Sequence, residues 1–333
     1  MNILYLHKEE WEKDYVINRL EGHNVTCAQS LDDISPEVLS SAEAVSVFIS
    51  HPIQKDSLDK MPSLKLIATR STGFDHIDIQ AARERNIEIV YVPSYGENTV
   101  AEFTFALLFA LSRRVCTAHS RLLKGGEFSS NDLQGFDLKG KTIGIIGTGR
   151  IGLNVIRMAR GFEMNILGYD PFPRYDIAES SGFRYVGLEE LLRESDIISL
   201  HAPLNEHTKH IINKGNIHSM KKGVYILNTA RGGLIETEAL EMALEENIVL
   251  GAGLDVLEEE KDMSDEMSLL NNPNPKIEEL KNVLANHYLI RHPRVKVTPH
   301  IAFNTIEAVY RILDTTIDNI DSFVRGEIKN RIP

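Results

Sequence analysis

The stretch Lys141-Thr142-Ile143-Gly144-Ile145-Ile146-Gly147-Thr148-Gly149-Arg150-Ile151-Gly152 decides how this chain folds. An apolar run empties into three glycines and then into a helical pattern, the form of a dinucleotide-binding turn. Ile143, Ile145 and Ile146 read as a buried strand. Gly147 allows the tight turn, Gly149 lets backbone approach a pyrophosphate, and Gly152 lets the next helix pack closely with its first N–H groups toward the phosphates. Glycine turns also arise for packing alone, so the following strand matters. Met164-Asn-Ile-Leu-Gly-Tyr-Asp170 ends in an acid about 18 positions beyond Gly152, near the roughly 20 at which such folds place a ribose ligand. A carboxylate there selects NAD over NADP. A 2′-phosphate would meet like charge, on the order of 4 kcal/mol per unit pair at about 4 Å and an effective dielectric of about 20 before screening. Arg174 is the nearby cation able to answer a phosphate.

Working outward, 333 residues exceed the roughly 250 to 300 at which one core stops growing, so two domains are expected. The balance of 42% apolar and 25% charged residues is that of a globular protein. A formal charge of −12 argues against nucleic acid or an anionic membrane as the main partner. Cys27 and Cys116 make no disulfide framework, and Glu9, Glu10, Glu12 and Lys13 interrupt any leader-like opening, which points to the cytoplasm. No apolar run reaches the roughly 18 residues of a membrane span.

The first hundred residues alternate strands (2–6, 25–28, 44–49, 64–68, 87–92) with helices (10–20, 36–40, 78–85), which implies a parallel sheet flanked by helices. Asn98 is placed to cap one long helix reaching Lys124, where Gly125-Gly126 stops it. Val100, Phe103, Phe105, Leu107, Leu108, Phe109, Leu111 and Val115 cover more than one of its faces, so it is expected as a domain bridge and as part of a C2 dimer. From Lys141 a second series gives six strands (142–146, 165–169, 197–201, 224–228, 249–254, 295–298) with helices starting near Arg150, Leu188 and Glu236. A last helix, 305–325, returns to the first domain. The expected architecture is α/β, two doubly wound parallel-sheet domains. A Rossmann NAD-binding domain (98–298) is inserted into a flavodoxin-like substrate domain (1–97 and 299–333), with a hinge and an active cleft between them.

Chemistry-bearing residues collect at strand ends. Arg70-Ser-Thr72-Gly73 follows the 64–68 strand, where backbone N–H groups suit a carboxylate; the same stretch also reads as a plain turn capped by Asp78. Asn228-Thr-Ala-Arg231-Gly offers a planar fork for a carboxylate beside a carbonyl, or an interface salt bridge. Leu254-Asp255-Val-Leu-Glu258-Glu259-Glu260 ends the next strand in acids, or in a solvated charge run, and Thr298-Pro299-His300 ends the last with an imidazole, or a satisfied core histidine. Convergence on one edge of a nucleotide-binding sheet favours the chemical reading. Reducing a 2-ketoacid needs a hydride donor, a proton donor at the carbonyl and a cation for the carboxylate. An imidazole, titrating near about 6.5 when unperturbed, suits the proton role. His201, His207 and His210 lie close in sequence, but no further ligand completes a metal set, so no metal is expected.

These residues together resemble the D-isomer-specific 2-hydroxyacid dehydrogenases over nearly the whole chain, most closely the NAD-dependent D-lactate enzymes. The resemblance rests on the 143–152 glycine turn, Asp170, His201-Ala-Pro203, Asn228-Thr-Ala-Arg231-Gly, Gly253-Leu-Asp255 with Glu260, and Thr298-Pro-His300. It implies that Arg231 holds the substrate carboxylate and carbonyl, that His300 is the acid/base, and that Glu260 orients His300. By the same likeness Asp255, Thr229 and Ala230 line the nicotinamide side, beside Arg231 and His300. Arg150, Ile151, His201, Ala202, Pro203 and Thr208 join Gly147, Gly149, Gly152 and Asp170 as cofactor contacts. Tyr95 corresponds to a substrate-side tyrosine, and Thr72-Gly73 to the carboxylate-binding backbone. The implied partner is a small 2-ketoacid or 2-hydroxyacid, with pyruvate and D-lactate in first place and a homodimer as the assembly.

The chain departs from that pattern in two places. Phe303-Asn304 stands where the lactate enzymes usually carry an aromatic pair, which alters the pocket on that side and leaves bulkier D-2-hydroxyacids, branched or aromatic, as an alternative. The charged segment 261–294 leaves either Glu259 or Glu260 to meet His300, the family offset favouring Glu260. A different class, NAD-sensing corepressors, shares the fold and the triad, and the acidic chain without long tails leans away from it.

Overall fold

The central strands of the first unit, residues 44–47 and 66–69, are buried along their length because both faces of a parallel sheet are covered. A computed structural model describes residues 1–260 and 277–333. In chain order, β1 (Asn2–Leu6), α1 (Glu10–Arg19), β2 (Asn24–Ala28), α2 (Pro36–Ser41), β3 (Ala44–Val47), α3 (Lys55–Asp59), β4 (Leu66–Thr69), α4 (Ile79–Glu84) and β5 (Glu88–Val90) form a sheet of order β2-β1-β3-β4-β5. All its pairings are parallel, which is the flavodoxin-like order. Leu4, Leu6, Val45, Val47, Ile67 and Ile89 bury one face against α2, α3 and α4. Ile3, Tyr5, Leu66, Ala68 and Val90 bury the other against α1 and the terminal helix. Asp78 caps α4, accepting from Ala81 N at 2.9 Å, so the capping reading of that turn holds beside any ligand role.

The second unit contains α5 (Glu97–Ser112), α6 (Val115–Leu123), β6 (Thr142–Ile146), α7 (Arg150–Gly161), β7 (Asn165–Tyr169), α8 (Tyr175–Ser181), β8 (Arg184–Tyr185), α9 (Leu188–Glu194), β9 (Ile197–Leu200), β10 (Val224–Asn228), α10 (Thr237–Glu245), β11 (Val249–Leu254), α11 (Ile277–Arg291) and β12 (Val295–Val297). Its sheet order is β12-β11-β10-β9-β6-β7-β8, doubly wound about the β6/β9 pair. The sheet therefore has seven strands rather than six. The extra one, β8, pairs only Arg184 and Tyr185 with β7 and is too short to leave a pattern in sequence. α12 (Ile306–Val324), capped by Thr305, closes the first unit by packing Leu313, Ile317 and Ile320 on its sheet. Of the charged segment 261–294, residues 261–276 lie outside the described residues and 277–291 are helix.

Two expectations change. The helix expected from Asn98 to Lys124 is two helices, and it starts at Glu97. Arg114 turns left-handed at φ 53°, and the last carbonyl of α5, on Ser112, accepts Phe136 N at 3.0 Å from the returning chain. Most apolar residues of α5 (Val100, Phe105, Leu107, Leu108, Leu111) are buried, four of them in the second unit's own core with Ile143, Ile145 and Val155. The exposed apolar side chains lie further on, at Val115, Leu122, Leu123 and Phe128.

The units divide as Met1–Gly96 with Asn304–Pro333, and Glu97–Phe303. Residues 299–303 thus go with the second unit rather than the first. Asp255 holds them there, its carbonyl accepting His300 N at 2.8 Å and its carboxylate accepting Ile301 N at 3.0 Å and Ala302 N at 2.7 Å. Among the described residues no helix is long and apolar enough to cross a membrane.

Candidate active site

The glycine turn leaves β6 at the point where the strand order reverses, the usual place for a nucleotide in such sheets. Gly147 sits at φ 92°, and a Cβ on it would come within 2.7 Å of Ala202 N on the neighbouring loop. A Cβ on Gly152 would strike the Gly147 carbonyl. On Gly149 it would meet nothing within 4 Å. Two glycines therefore serve close packing and the middle one opens on space, beside the first turn of α7. A pyrophosphate fits that cradle. Asp170, directly after β7, is drawn to the same turn: its Oδ2 accepts Thr148 N at 2.9 Å and Thr148 Oγ1 at 3.1 Å, and its Oδ1 accepts Phe172 N at 3.0 Å. Arg174 donates to Thr148 O at 2.7 Å, and Tyr185 Oη lies 2.7 Å from Thr148 Oγ1. Thr148, buried within the turn, is one residue that sequence reasoning missed; only its place between two motif glycines marked it.

After β9, His201 sets its Nε2 2.8 Å from Ser199 Oγ, and burial lowers its basicity to about 3, so the ring is neutral. Ala202 is buried and Pro203 exposed, and Thr208 Oγ1 donates to Pro203 O at 2.5 Å, closing the loop on itself. The three histidines do not converge, since His201 meets Ser199 while His210 meets Glu258 at 2.5 Å. Among the described residues no three His, Cys, Asp or Glu side chains form a metal set.

The loops after β10, β11 and β12 stand side by side because those strands are neighbours. Asn228 shapes the first loop: its side chain donates to Arg231 O at 2.9 Å and accepts Ala230 N at 3.0 Å. Thr229 Oγ1 lies 3.0 Å from Thr104 Oγ1 of α5. Arg231 is half-buried and donates to Ala230 O at 2.7 Å. A Cβ on Gly232 would collide with the Leu257 carbonyl, so the Arg231 loop lies directly on the loop that carries the acids.

Asp255 is 1% exposed, and burial raises its pKa against the hydrogen bonds that lower it. Besides the two backbone N–H groups it accepts Thr298 Oγ1 at 2.6 Å, so its carboxylate builds the His300 turn. His300 itself is left-handed at φ 52°, a conformation disfavoured for a residue with a Cβ by roughly 1–2 kcal/mol. That geometry carries its Nδ1 to 2.6 Å from Glu260 Oε1, which leaves Nε2 as the ring nitrogen away from the carboxylate. Glu259 is exposed, so of the two candidate acids Glu260 meets His300.

In the first unit Thr72, Gly73 and Tyr95 follow the adjacent strands β4 and β5. Thr72 Oγ1 donates to Val92 O at 2.9 Å, Ser71 Oγ to Gly73 O at 2.6 Å, and Tyr95 O accepts Arg311 Nε at 2.6 Å. Beneath that loop the buried Arg70 was not found from sequence. It donates to Glu12 Oε2 at 2.7 Å, to Tyr5 Oη and to Leu6 O, and it stacks on the Tyr5 ring. Its only sequence signal was a cation directly after an apolar strand.

The fold and the glycine cradle define a dinucleotide-binding protein. Residues 105–302 match the family described as D-isomer specific 2-hydroxyacid dehydrogenase, NAD binding domain. The chain is 36% identical to D-lactate dehydrogenase of Escherichia coli over 89% of this chain and 88% of that protein. It is 37% identical to glyoxylate reductase of Thermofilum pendens over 86% and 79%. The crystal structure of Aquifex aeolicus D-lactate dehydrogenase complexed with NAD and lactic acid superposes with TM-score 0.86 at 34% identity, covering 98% of this chain and 96% of that one. The chain belongs to the D-isomer-specific 2-hydroxyacid dehydrogenase family, and its cofactor is NAD.

Proposed function

We propose that the protein reduces a small 2-ketoacid to the D-2-hydroxyacid, pyruvate to D-lactate in first place. The observation that carries this reading is the His300–Glu260 pair at 2.6 Å, Glu260 being on the loop packed against that of Arg231. Bound NADH supplies the hydride. His300 Nε2 delivers the proton to the carbonyl oxygen, Glu260 holds the ring charged and oriented through Nδ1, and the Arg231 guanidinium takes the carboxylate. In the first unit, Thr72, Gly73 and Tyr95 are the substrate-binding residues that the family likeness implies. Gly147, Gly149, Arg150, Ile151 and Gly152 cradle the pyrophosphate and Asp170 takes the adenosine ribose. His201, Ala202, Pro203, Thr208, Thr229, Ala230 and Asp255 line the remainder of the cofactor site. Family members named for D-lactate and for glyoxylate support the reaction class more strongly than the particular substrate.

A spectrophotometric screen of 2-ketoacids with NADH and NADPH tests this reading. Pyruvate should head the series, and kcat/KM should favour NADH by at least about 10-fold through Asp170. Equal efficiency with NADPH would mean that Arg174 turns to the phosphate, and a branched or aromatic ketoacid in first place would move the assignment to the bulkier class.

We also propose a homodimer in the cytoplasm. The exposed Val115, Leu123 and Phe128 of the second unit support the assembly, and the free thiols Cys27 and Cys116 suit a reducing compartment. Sedimentation at micromolar concentration should show about twice 37.5 kDa; a 37.5 kDa species alone would refute the dimer.

A further inference from the structure

His210 belongs to no chemical step above, yet it touches both loops that carry them. It lies in the connection between β9 and β10 and adopts a left-handed backbone at φ 53°. Its N–H donates to Gly233 O at 2.8 Å, two residues beyond Arg231. Its ring Nε2 meets Glu258 Oε1 at 2.5 Å, two residues before Glu260. Glu258 is itself tied down: its Oε2 accepts Thr237 N at 3.2 Å and Thr237 Oγ1 at 2.9 Å at the start of α10, and its carbonyl accepts Asn286 Nδ2 of α11 at 3.0 Å. The His210 carbonyl in turn accepts Asn213 Nδ2 at 2.8 Å.

We infer that His210 is a positioning residue for the reaction, its backbone registering the Arg231 loop and its ring, through Glu258, registering the Glu260 loop. A left-handed residue with a Cβ is kept only where its surroundings over-determine it. Here those surroundings are the two loops in question. The ring contact joins two half-buried side chains, which makes it a charge-assisted bond whenever the imidazole is protonated. A displacement of about 1 Å at catalytic groups costs up to about 10²-fold in rate, so a clamp this close to Arg231 and Glu260 controls turnover without touching substrate.

The inference rests on the roles of Arg231, Glu260 and His300 proposed above, and its test is chosen to separate the two. His210→Asn keeps a residue type that tolerates the left-handed backbone while withdrawing the ring from Glu258. Three quantities are compared with wild type: kcat for the best ketoacid, NADH affinity by fluorescence, and the pH at which the His300 ring titrates by NMR. The inference expects kcat to fall about 10- to 100-fold, NADH binding to survive, and the His300 titration to move toward that of Glu260→Gln. Glu258→Gln, which keeps the shape and an acceptor for the ring, should show a smaller change in the same direction, and it substitutes if His210→Asn does not fold. A lowered melting temperature with unchanged kcat and an unchanged His300 titration would overturn the inference and leave His210 a stabilising residue alone. If wild type reduces no ketoacid, the functional reading fails, while the His300 titration still decides whether His210 positions Glu260.

Discussion

Replacing His300 with Ala is expected to lower kcat for ketoacid reduction by about 10²- to 10⁴-fold at every pH, the range for loss of a general acid. The structure gives the reason in the backbone as well as the ring. Asp255 spends its buried carboxylate on Thr298 Oγ1, Ile301 N and Ala302 N, and its carbonyl on His300 N. The turn is therefore fixed by groups that the substitution leaves in place. Removing the imidazole takes away the proposed proton donor and relieves the left-handed crowding only slightly, since alanine keeps a Cβ. NADH binding, measured by fluorescence, should persist within about a few-fold because the glycine cradle and Asp170 lie on other strands. A His300→Ala enzyme within about 3-fold of wild-type kcat would remove the imidazole from the reaction.

Gly232→Ala should be nearly as damaging without altering any chemical group. The added methyl runs into the Leu257 carbonyl and the peptide beyond it, which are backbone and do not swing away. The Arg231 loop and the acid loop must part. Overpacking of this kind costs about 1–3 kcal/mol of stability, and a shift of about 1 Å between Arg231 and Glu260 lowers turnover by about 10²-fold. Gly187→Ala is the control, because a Cβ there meets nothing within 4 Å. Thermal melts and kcat of the two variants give the comparison; matching values for both would show that the loops have room to spare.

Much of this arrangement was legible in sequence because parallel sheets concentrate chemistry at strand ends. The glycine turn, Asp170, Arg231 and Asp255 each follow a largely buried apolar strand, whereas His300 follows the short β12, in which Val295 alone is buried. Apart from the 15-residue α11, what escaped was of two kinds. Short elements such as α3, α8 and β8 carry too few residues for a periodicity to show. Tertiary contacts were the other kind: the break at Arg114 depends on Phe136 reaching back to Ser112, and the Arg70 cluster depends on Glu12 and Tyr5, far away in sequence. The choice between Glu259 and Glu260 also needed coordinates, because only the fold shows which carboxylate turns inward. Composition misled once, in the helix after Asn98, where apolar residues read as an excess for an interface are largely consumed by the second unit's own core.

The pH dependence of kcat/KM in wild type and Glu260→Gln tests the central claim most directly. The Glu260 carboxylate lies 2.6 Å from His300 Nδ1, and the proposed proton donor acts only in its protonated form, so reduction should fail at high pH. The amide removes that charge while keeping the shape. The account predicts that the alkaline fall in Glu260→Gln moves to lower pH, with the acid side of the profile retained. An alkaline limb that stays where it is in wild type would contradict the account and take Glu260 out of the proton-delivering pair.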